Sequence, residues 1–241
     1  MIGARALPRR NGRDEAEKPF WISFADLMTA LMVLFLLVMS VALLAVTKTV
    51  TEAEARKAAR ERDITNLLDQ VKKATTKFPG VSVYLDRGVI DFGEQARFET
   101  NSSRLTPEQA VLLRRYVPTI LGIARNELGR RWLKRIVVEG FADQRGSYLL
   151  NLDLSLRRSE RVLCVLLAPP GPDETPLSTP EQEQIRDLFL VGGYSFNSAK
   201  ASFDESRRIE LRLEFYGVDE EPVVAEDVPR GSFGTCALPA Q

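Results

Sequence analysis

Hydrophobic positions follow three different patterns along the chain. From Ile22 to Val46 they are nearly continuous: twenty-five residues are interrupted only by Asp26, and the twenty from Leu27 to Val46 carry no charge. As a helix rising about 1.5 Å per residue, such a run spans roughly 37 Å, enough to cross a hydrocarbon core of about 30 Å. It predicts one membrane-spanning helix over residues 20–46. A removable signal peptide has an apolar region of only about 7–15 residues, so the run reads as an uncleaved anchor. In the second pattern, Thr51 to Thr76 is charged and amphipathic, with Ile64, Leu67, Leu68 and Val71 at i, i+3, i+4, i+7 spacing. That helix needs a partner face, and three readings stand: a second copy, the domain that follows, or solvent around a plain spacer.

The third pattern begins after Phe78-Pro79-Gly80, where short alternating runs are separated by turn residues. "VSVYLDRGVIDFG" predicts a hairpin bending at Asp86-Arg87-Gly88. Thr106 is a predicted N-cap, with Pro107 at the first position of a helix running to about Leu128. "RIVVEGFAD" predicts a strand, "NLDLSLRRSERVLCVLL" a helix, and "RRIELRLEF" a final strand. Between the last two lies the Pro-rich "APPGPDETPLSTPEQ", followed by a short helix through Ile185 to Leu190. The order strand, strand, helix, strand, helix, strand gives an α+β domain, a mixed sheet with helices on one face. The expected divisions are an N-terminal segment 1–19, the span 20–46, a helical linker 47–80, the domain 81–217 and a tail 218–241.

Charge and composition narrow the function classes. The 33 basic and 33 acidic residues cancel, which argues against nucleic acid as the main partner. The chain has no His, which removes His-based triads and His-containing metal sites, and its two Cys residues make no zinc pattern. Gly192-Gly193 is too short to cradle a nucleotide. Neither an enzyme nor a cofactor-binding protein is expected. For Cys164 and Cys236 two readings stand: a disulfide in an oxidising compartment, or, for Cys164 in "VLCVLL", a small core residue.

Two constellations carry chemistry. "VVEGFADQRGSYLLNLDLSLRRSERV" resembles the signature of OmpA-like peptidoglycan-binding domains, and the likeness extends over about Val81 to Phe215. The resemblance implies a site with Asp143 at the family's acidic position, Asn151 eight residues on, and Leu154 and Arg158 in the helix motif. "FETNSSRLTPE" resembles the family's first binding loop and adds Thr100 and Asn101. Ala142 and Ser159 depart from the family's usual Thr and Ala. A free diaminopimelate end presents an ammonium and a carboxylate side by side, so an anion and a guanidinium a few ångströms apart would fix both. The competing reading is that Asp143 and Arg158 simply pair with each other on the surface.

The second constellation is Asp26. Ser23-Phe24-Ala25-Asp26 has capping-box spacing, with Ser23 as N-cap, so one reading makes Asp26 a helix-start signal. On a wheel of about 100° per residue, however, Ser23, Asp26, Thr29, Ser40 and Thr47 share one arc of about 120°. A cap has no reason to share a face with Ser40; a helix facing a protein interior or a hydrated path does. A span with an Asp near one end, a spacer and an OmpA-like domain resembles MotB-type stator subunits. "FWISFADLMTALMVLFLLVM" resembles in particular the ZorB subunits of Zorya antiphage systems, because the linker of thirty-four residues between Val46 and Val81 is short for flagellar relatives.

The resemblance implies a pair of these helices inside a pentameric ring of MotA-like (ZorA) subunits, with Asp26 carrying protons and Ser23, Thr29 and Ser40 lining its face. Few polar groups near Asp26 favour a proton over sodium. Basic residues tie across the span, Arg5, Arg9, Arg10, Arg13 and Lys18 before it and Lys48, Arg56, Lys57, Arg60 and Arg62 after it. Long downstream domains translocate largely regardless of charge, so the expected placement is the bacterial inner membrane with the N-terminus cytoplasmic and the domain periplasmic. Two other functions fit the same layout: a flagellar MotB-type stator and a passive tether to the cell wall.

Overall fold

The computed structural model describes residues 14–170, 175–220, 231–236 and 238. Residues 1–13 of the expected N-terminal segment, 171–174 of the Pro-rich insertion and most of the tail beyond Glu220 lie outside them. Helix α1, Asp14–Thr75, crosses a division into two compact units, one ending at Lys57 and the other starting at Ala58. In the first unit the apolar run from Trp21 to Val50 is exposed along its whole length, a surface that only lipid or other protein can cover. It is the one described helix long and apolar enough to cross a membrane. Because α1 starts at Asp14, Ser23 is an interior residue and not the N-cap that its spacing predicts; the helix has no free N–H groups there to cap.

The second unit holds a five-stranded sheet in the order β1-β2-β5-β3-β4. Its strands are β1 (Ser82–Tyr84), β2 (Val89–Asp91), β3 (Leu133–Gly140), β4 (Phe189–Gly193) and β5 (Ile209–Phe215). All neighbours are antiparallel except β3 and β4, so the sheet is mixed. Strand β4 departs from the sequence reading, which ran the preceding helix through Leu190. Helix α5 spans Thr179–Leu188, and Phe189-Leu190-Val191 then pairs in parallel with Ile136-Val137-Val138. The expected helix to Leu128 is likewise two: α2 (Pro107–Ala124) and α3 (Glu127–Trp132). Asn126 breaks them by accepting from Gly129 N at 2.7 Å, a cap that starts a new helix. At the start of α2 the capping box is complete, with Thr106 and Gln109 each bonded to the other's backbone N–H. The remaining helices are α4 (Tyr148–Leu167) and the single turn α6 (Phe203–Ser206).

Alternation along the strands sorts the sheet's two faces. Ile209, Leu211 and Leu213 of β5, with Ile136 and Val138 of β3, point into one core. Leu113 and Ile120 of α2, Val162 and Leu166 of α4, and Ile185 of α5 fill it from the same side, so the helices occupy one face. Leu67, Leu68 and Val71 of α1 are buried in that same core. The end of α1 is therefore packed on the domain and is not a solvated spacer. Each such leucine contributes about 1.5–3 kcal/mol of apolar burial.

The other face carries Glu210, Arg212 and Glu214 of β5 beside Arg135 and Glu139 of β3. Cys164 of α4 and Cys236 of the tail are joined by a disulfide.

Close packing of α4 sets up the end of the sheet where β3 and β4 stop. Gly140 and Gly193 are register partners, and a Cβ on the first would lie 1.9 Å from Ser155 O. A Cβ on the second would lie 2.8 Å from Leu156 N, so only glycines let α4 lie directly on these strand ends. Ser155 Oγ then receives the N–H of Ser195 at 3.0 Å, and Ser195 O receives that of Ala142 at 2.8 Å. This chain of contacts fixes the backbone just before Asp143.

Candidate functional site

One cleft of about 250 Å³ opens beyond the end of β3. Its lining includes all six residues that the resemblance to peptidoglycan-binding domains singles out there: Thr100, Asn101, Asp143, Asn151, Leu154 and Arg158. They come from three places, the loop after the 3-10 turn Gly93–Ala96, the turn after β3, and the first half of α4. Asn151 holds the turn in shape, because its Nδ2 donates to Arg145 O at 2.8 Å. Asn101 has φ 56°, an uncommon conformation for a non-glycine residue but one that Asn tolerates.

Asp143 is almost fully buried and takes hydrogen bonds from two arginines. Its Oδ1 accepts from Arg145 N at 3.0 Å and Arg145 Nε at 3.2 Å; its Oδ2 accepts from Arg145 Nη2 at 2.6 Å and Arg207 Nη1 at 3.1 Å. The Arg145 side chain, opposed by burial and aided by the Arg145 N–H and Arg207, holds the carboxyl down at about 2. Asp143 is therefore a fixed anion at neutral pH.

Arg158 does not pair with Asp143, and it is not on the surface. It is wholly buried, and its Nε, Nη1 and Nη2 donate to the carbonyls of Ser102, Phe141 and Glu99 at 2.9, 2.7 and 3.2 Å. Its guanidinium lies 5.0 Å from the Phe98 ring centre. Burial, with Arg207 nearby, lowers its pKa to about 10, which still leaves it charged. Arg158 thus ties the 99–102 loop to the turn that bears Asp143. Arg145 and Arg207 are functional candidates that the sequence reading missed. Arg145 has a local signal, a basic residue two positions after the acidic one; Arg207 stands in the closing "SRRIELRL" run, which resembles the family's but reads only as a strand, and it arrives from the far end of the chain just before β5.

The two departures from the family pattern are accommodated. Ser159 Oγ donates within its own helix to Leu156 O at 2.8 Å, so the extra hydroxyl is satisfied. Beside Ala142, the donors that reach Asp143 come from Arg145 and Arg207.

Asp26, Ser23, Thr29 and Ser40 lie on α1 in the other compact unit, all exposed. Thr29, Ser40 and Thr47 each donate to the carbonyl four residues back at 2.7–2.8 Å, which satisfies their hydroxyls without any outside partner. Between Trp21 and Val46, Asp26 is then the one side chain bearing a formal charge.

A family model described as membrane MotB of the proton-channel complex MotA/MotB matches residues 8–55. Among solved structures, a MotB-like protein from Desulfovibrio vulgaris is 19% identical, with a TM-score of 0.41 over 67% of this chain and 99% of its own. The periplasmic domain of a MotB is also 19% identical, with a TM-score of 0.40 over 58% of this chain and 69% of its own. The Zorya protein ZorB of Escherichia coli O139:H28 is 45% identical over 231 residues, 95% of this chain and 93% of that protein. With that identity across nearly the full length of both, the chain belongs to the ZorB family.

Proposed function

We propose that this chain is the wall-anchored stator subunit of a proton-driven Zorya motor in the bacterial inner membrane, acting in defence against phage. Kinship to ZorB over nearly the whole chain supports that role directly. In this reading the N-terminus is cytoplasmic and the α+β domain periplasmic. Two copies of α1 sit inside a pentameric ring of MotA-like (ZorA) subunits, and the cleft around Asp143 holds peptidoglycan.

The observation that carries the motor reading is the isolation of Asp26. A carboxylate kept ionised in a bilayer costs several kcal/mol, so it stays there only with a function or a partner, and here it heads a stripe of self-satisfied hydroxyls. One charge crossing the full membrane potential gains about 2.3 kcal/mol per 100 mV. Alternate protonation of two Asp26 copies then steps the surrounding ring from one contact to the next. If the wall holds the pair through its Asp143 clefts, the ring is the part that turns.

The test is Asp26→Asn in cells carrying the rest of the system. The expected result is normal membrane insertion and normal abundance with loss of proton flux and of phage protection. Protection at the level of the unsubstituted chain would refute the motor reading and leave a passive wall tether in its place.

A further inference from the structure

The anion of the cleft is already occupied by a neighbour. We propose that Arg145 is a specificity latch, yielding Asp143 only to a ligand that carries an ammonium and a carboxylate on the same carbon. This rests on the peptidoglycan reading above and sharpens it: the cleft takes the free amino-acid end of diaminopimelate and disfavours stem peptides whose third residue is amidated diaminopimelate or lysine.

Two guanidiniums hold Asp143, and they differ in freedom. Arg207 is nearly buried and is fixed by Phe98 O, Asp204 and Asp143 together. Arg145 is half exposed, with its side chain 49% accessible. Apart from Asp143, its guanidinium donates to Thr100 Oγ1 at 3.2 Å and lies over the face of the Phe203 ring, 4.7 Å from its centre. Arg145 is therefore the partner that an incoming cation can displace, and Arg207 the one that stays.

Displacement has a cost that depends on the ligand. A lone ammonium must replace a guanidinium that already contacts both Asp143 oxygens, and it gives the displaced Arg145 nothing in return. A ligand with an adjacent carboxylate supplies that return, because the planar guanidinium accepts such a group with two parallel N–H bonds. One internal ion pair is then exchanged for two intermolecular ones. A carboxamide offers a neutral oxygen only, and a lysine end has no second group.

The balance of charge points the same way. Arg145, Arg158 and Arg207 face two carboxylates, the buried Asp143 and the exposed Asp204 that pairs with Arg207, so one positive charge is left over and favours a ligand that brings an extra negative group. Arg158 is a poor alternative grip, since its three nitrogens already donate to backbone carbonyls.

The experiment uses the full-length chain in detergent micelles and three fluorescent muropeptides, whose stem tripeptides end in diaminopimelate, amidated diaminopimelate or lysine. The unsubstituted chain is expected to bind the first about tenfold or more tightly than the other two, the equivalent of one charge-assisted pair. Arg145→Ala is expected to shrink that preference below about threefold, chiefly by weakening the first ligand. Arg145→Lys keeps the charge but not the fork, and should fall between. Because Arg145 helps to hold Asp143, a single cooperative thermal transition, lowered no further by Arg145→Ala than by Asp143→Asn, will confirm that the variants fold. A preference that survives Arg145→Ala, or equal binding of all three by the unsubstituted chain, overturns the latch alone. Failure of the unsubstituted chain to bind any of them overturns the peptidoglycan reading itself and the latch with it.

Discussion

Trp132 Nε1 donates to Asp63 Oδ2 at 2.9 Å, joining the end of α1 to the residue that leads into the central strand β3. Arg131 reaches the same carboxylate oxygen at 3.7 Å, and Arg60 Nε donates to Tyr216 O, just beyond β5, at 2.7 Å. Lower down, Asn126 Nδ2 donates to Gln70 Oε1 at 2.8 Å, and Thr75 Oγ1 lies 2.8 Å from the buried Tyr116 hydroxyl. Since Thr75 gives its own proton to Val71 O, Tyr116 is the donor in that last bond. The final turns of α1 are thus bonded at four levels to the domain that they enter.

Removing the acceptor should loosen this attachment selectively. Asp63→Ala leaves Trp132 Nε1, on a residue only 7% exposed, without an acceptor. The expected cost is about 1–3 kcal/mol. Amide exchange should quicken over residues 58–70 while β3 and β5 stay protected. Asp63→Asn retains an acceptor oxygen and should lose clearly less. Equal losses for the two would show that this bond does not hold the helix.

Arg158 makes the opposite kind of prediction, one about stability with binding as a consequence. Arg158→Ala takes the guanidinium donors from the carbonyls of Ser102 and Phe141, leaves Glu99 O with only the Ser102 N–H, and opens a void beside Phe98. A loss of at least about 3 kcal/mol is expected, read as a lower thermal midpoint. Arg158→Lys should recover little of it, because one ammonium cannot reach three carbonyls set around a planar fork. Near-complete rescue by Lys would show that charge alone matters at this position.

Acid should uncouple Asp143 from its arginines. Its carboxyl is held at about 2 in the folded chain, against an ordinary value of 3.8. A depressed folded value means the stabilisation is fully present above about 4, is lost as pH falls towards 2, and is absent below both. It amounts to about 2 kcal/mol. Acid titration of the full chain and of Asp143→Asn checks the sign: the two stability curves should converge as pH drops from about 5 to 2. Parallel curves over that window would show that Asp143 is not ionically held.

These residues also show what the sequence disclosed and what it withheld. Strong local signals read correctly: the uncharged run after Asp26, the hairpin around Gly88, and the Thr106 cap with Pro107 at the head of α2. Errors came where a tertiary partner decides the outcome. Phe189-Leu190-Val191 continues a helical pattern by composition, and becomes a strand because β3 offers it a free edge. Ser23 has the spacing of a cap, and is not one because the helix already runs from Asp14. The cleft residues were legible as a set because their spacing is a motif. The assignment of charges within it was not: whether Asp143 faces Arg158 or Arg145 depends on burial, which no spacing reveals.

The sheet's helix-free face offers a sharper test of how this fold tolerates charge. Across its central strands Asp91, Glu210 and Glu139 stand in one row, register partners in turn and all buried. Like charges so placed destabilise a sheet unless each is neutralised. Lys200 bonds Asp91, Arg208 donates to Glu210 at 2.7 Å, and Arg212 grips Glu139 through two bonds at 2.6 and 2.9 Å. Arg212→Ala removes the cation from a fully buried carboxylate that stands next to Glu210 and keeps the Tyr194 hydroxyl as a neutral partner, and the expected cost is about 3 kcal/mol. Glu139→Gln removes the charge and leaves Arg212, which is a third exposed, able to turn to solvent, so its cost should stay near 1 kcal/mol. The double variant distinguishes a paired charge from a merely well-packed one. If repulsion within the row is what Arg212 suppresses, Glu139→Gln with Arg212→Ala will be more stable than Arg212→Ala alone. If the two losses simply add, the row is held by packing, and its ion pairs contribute little.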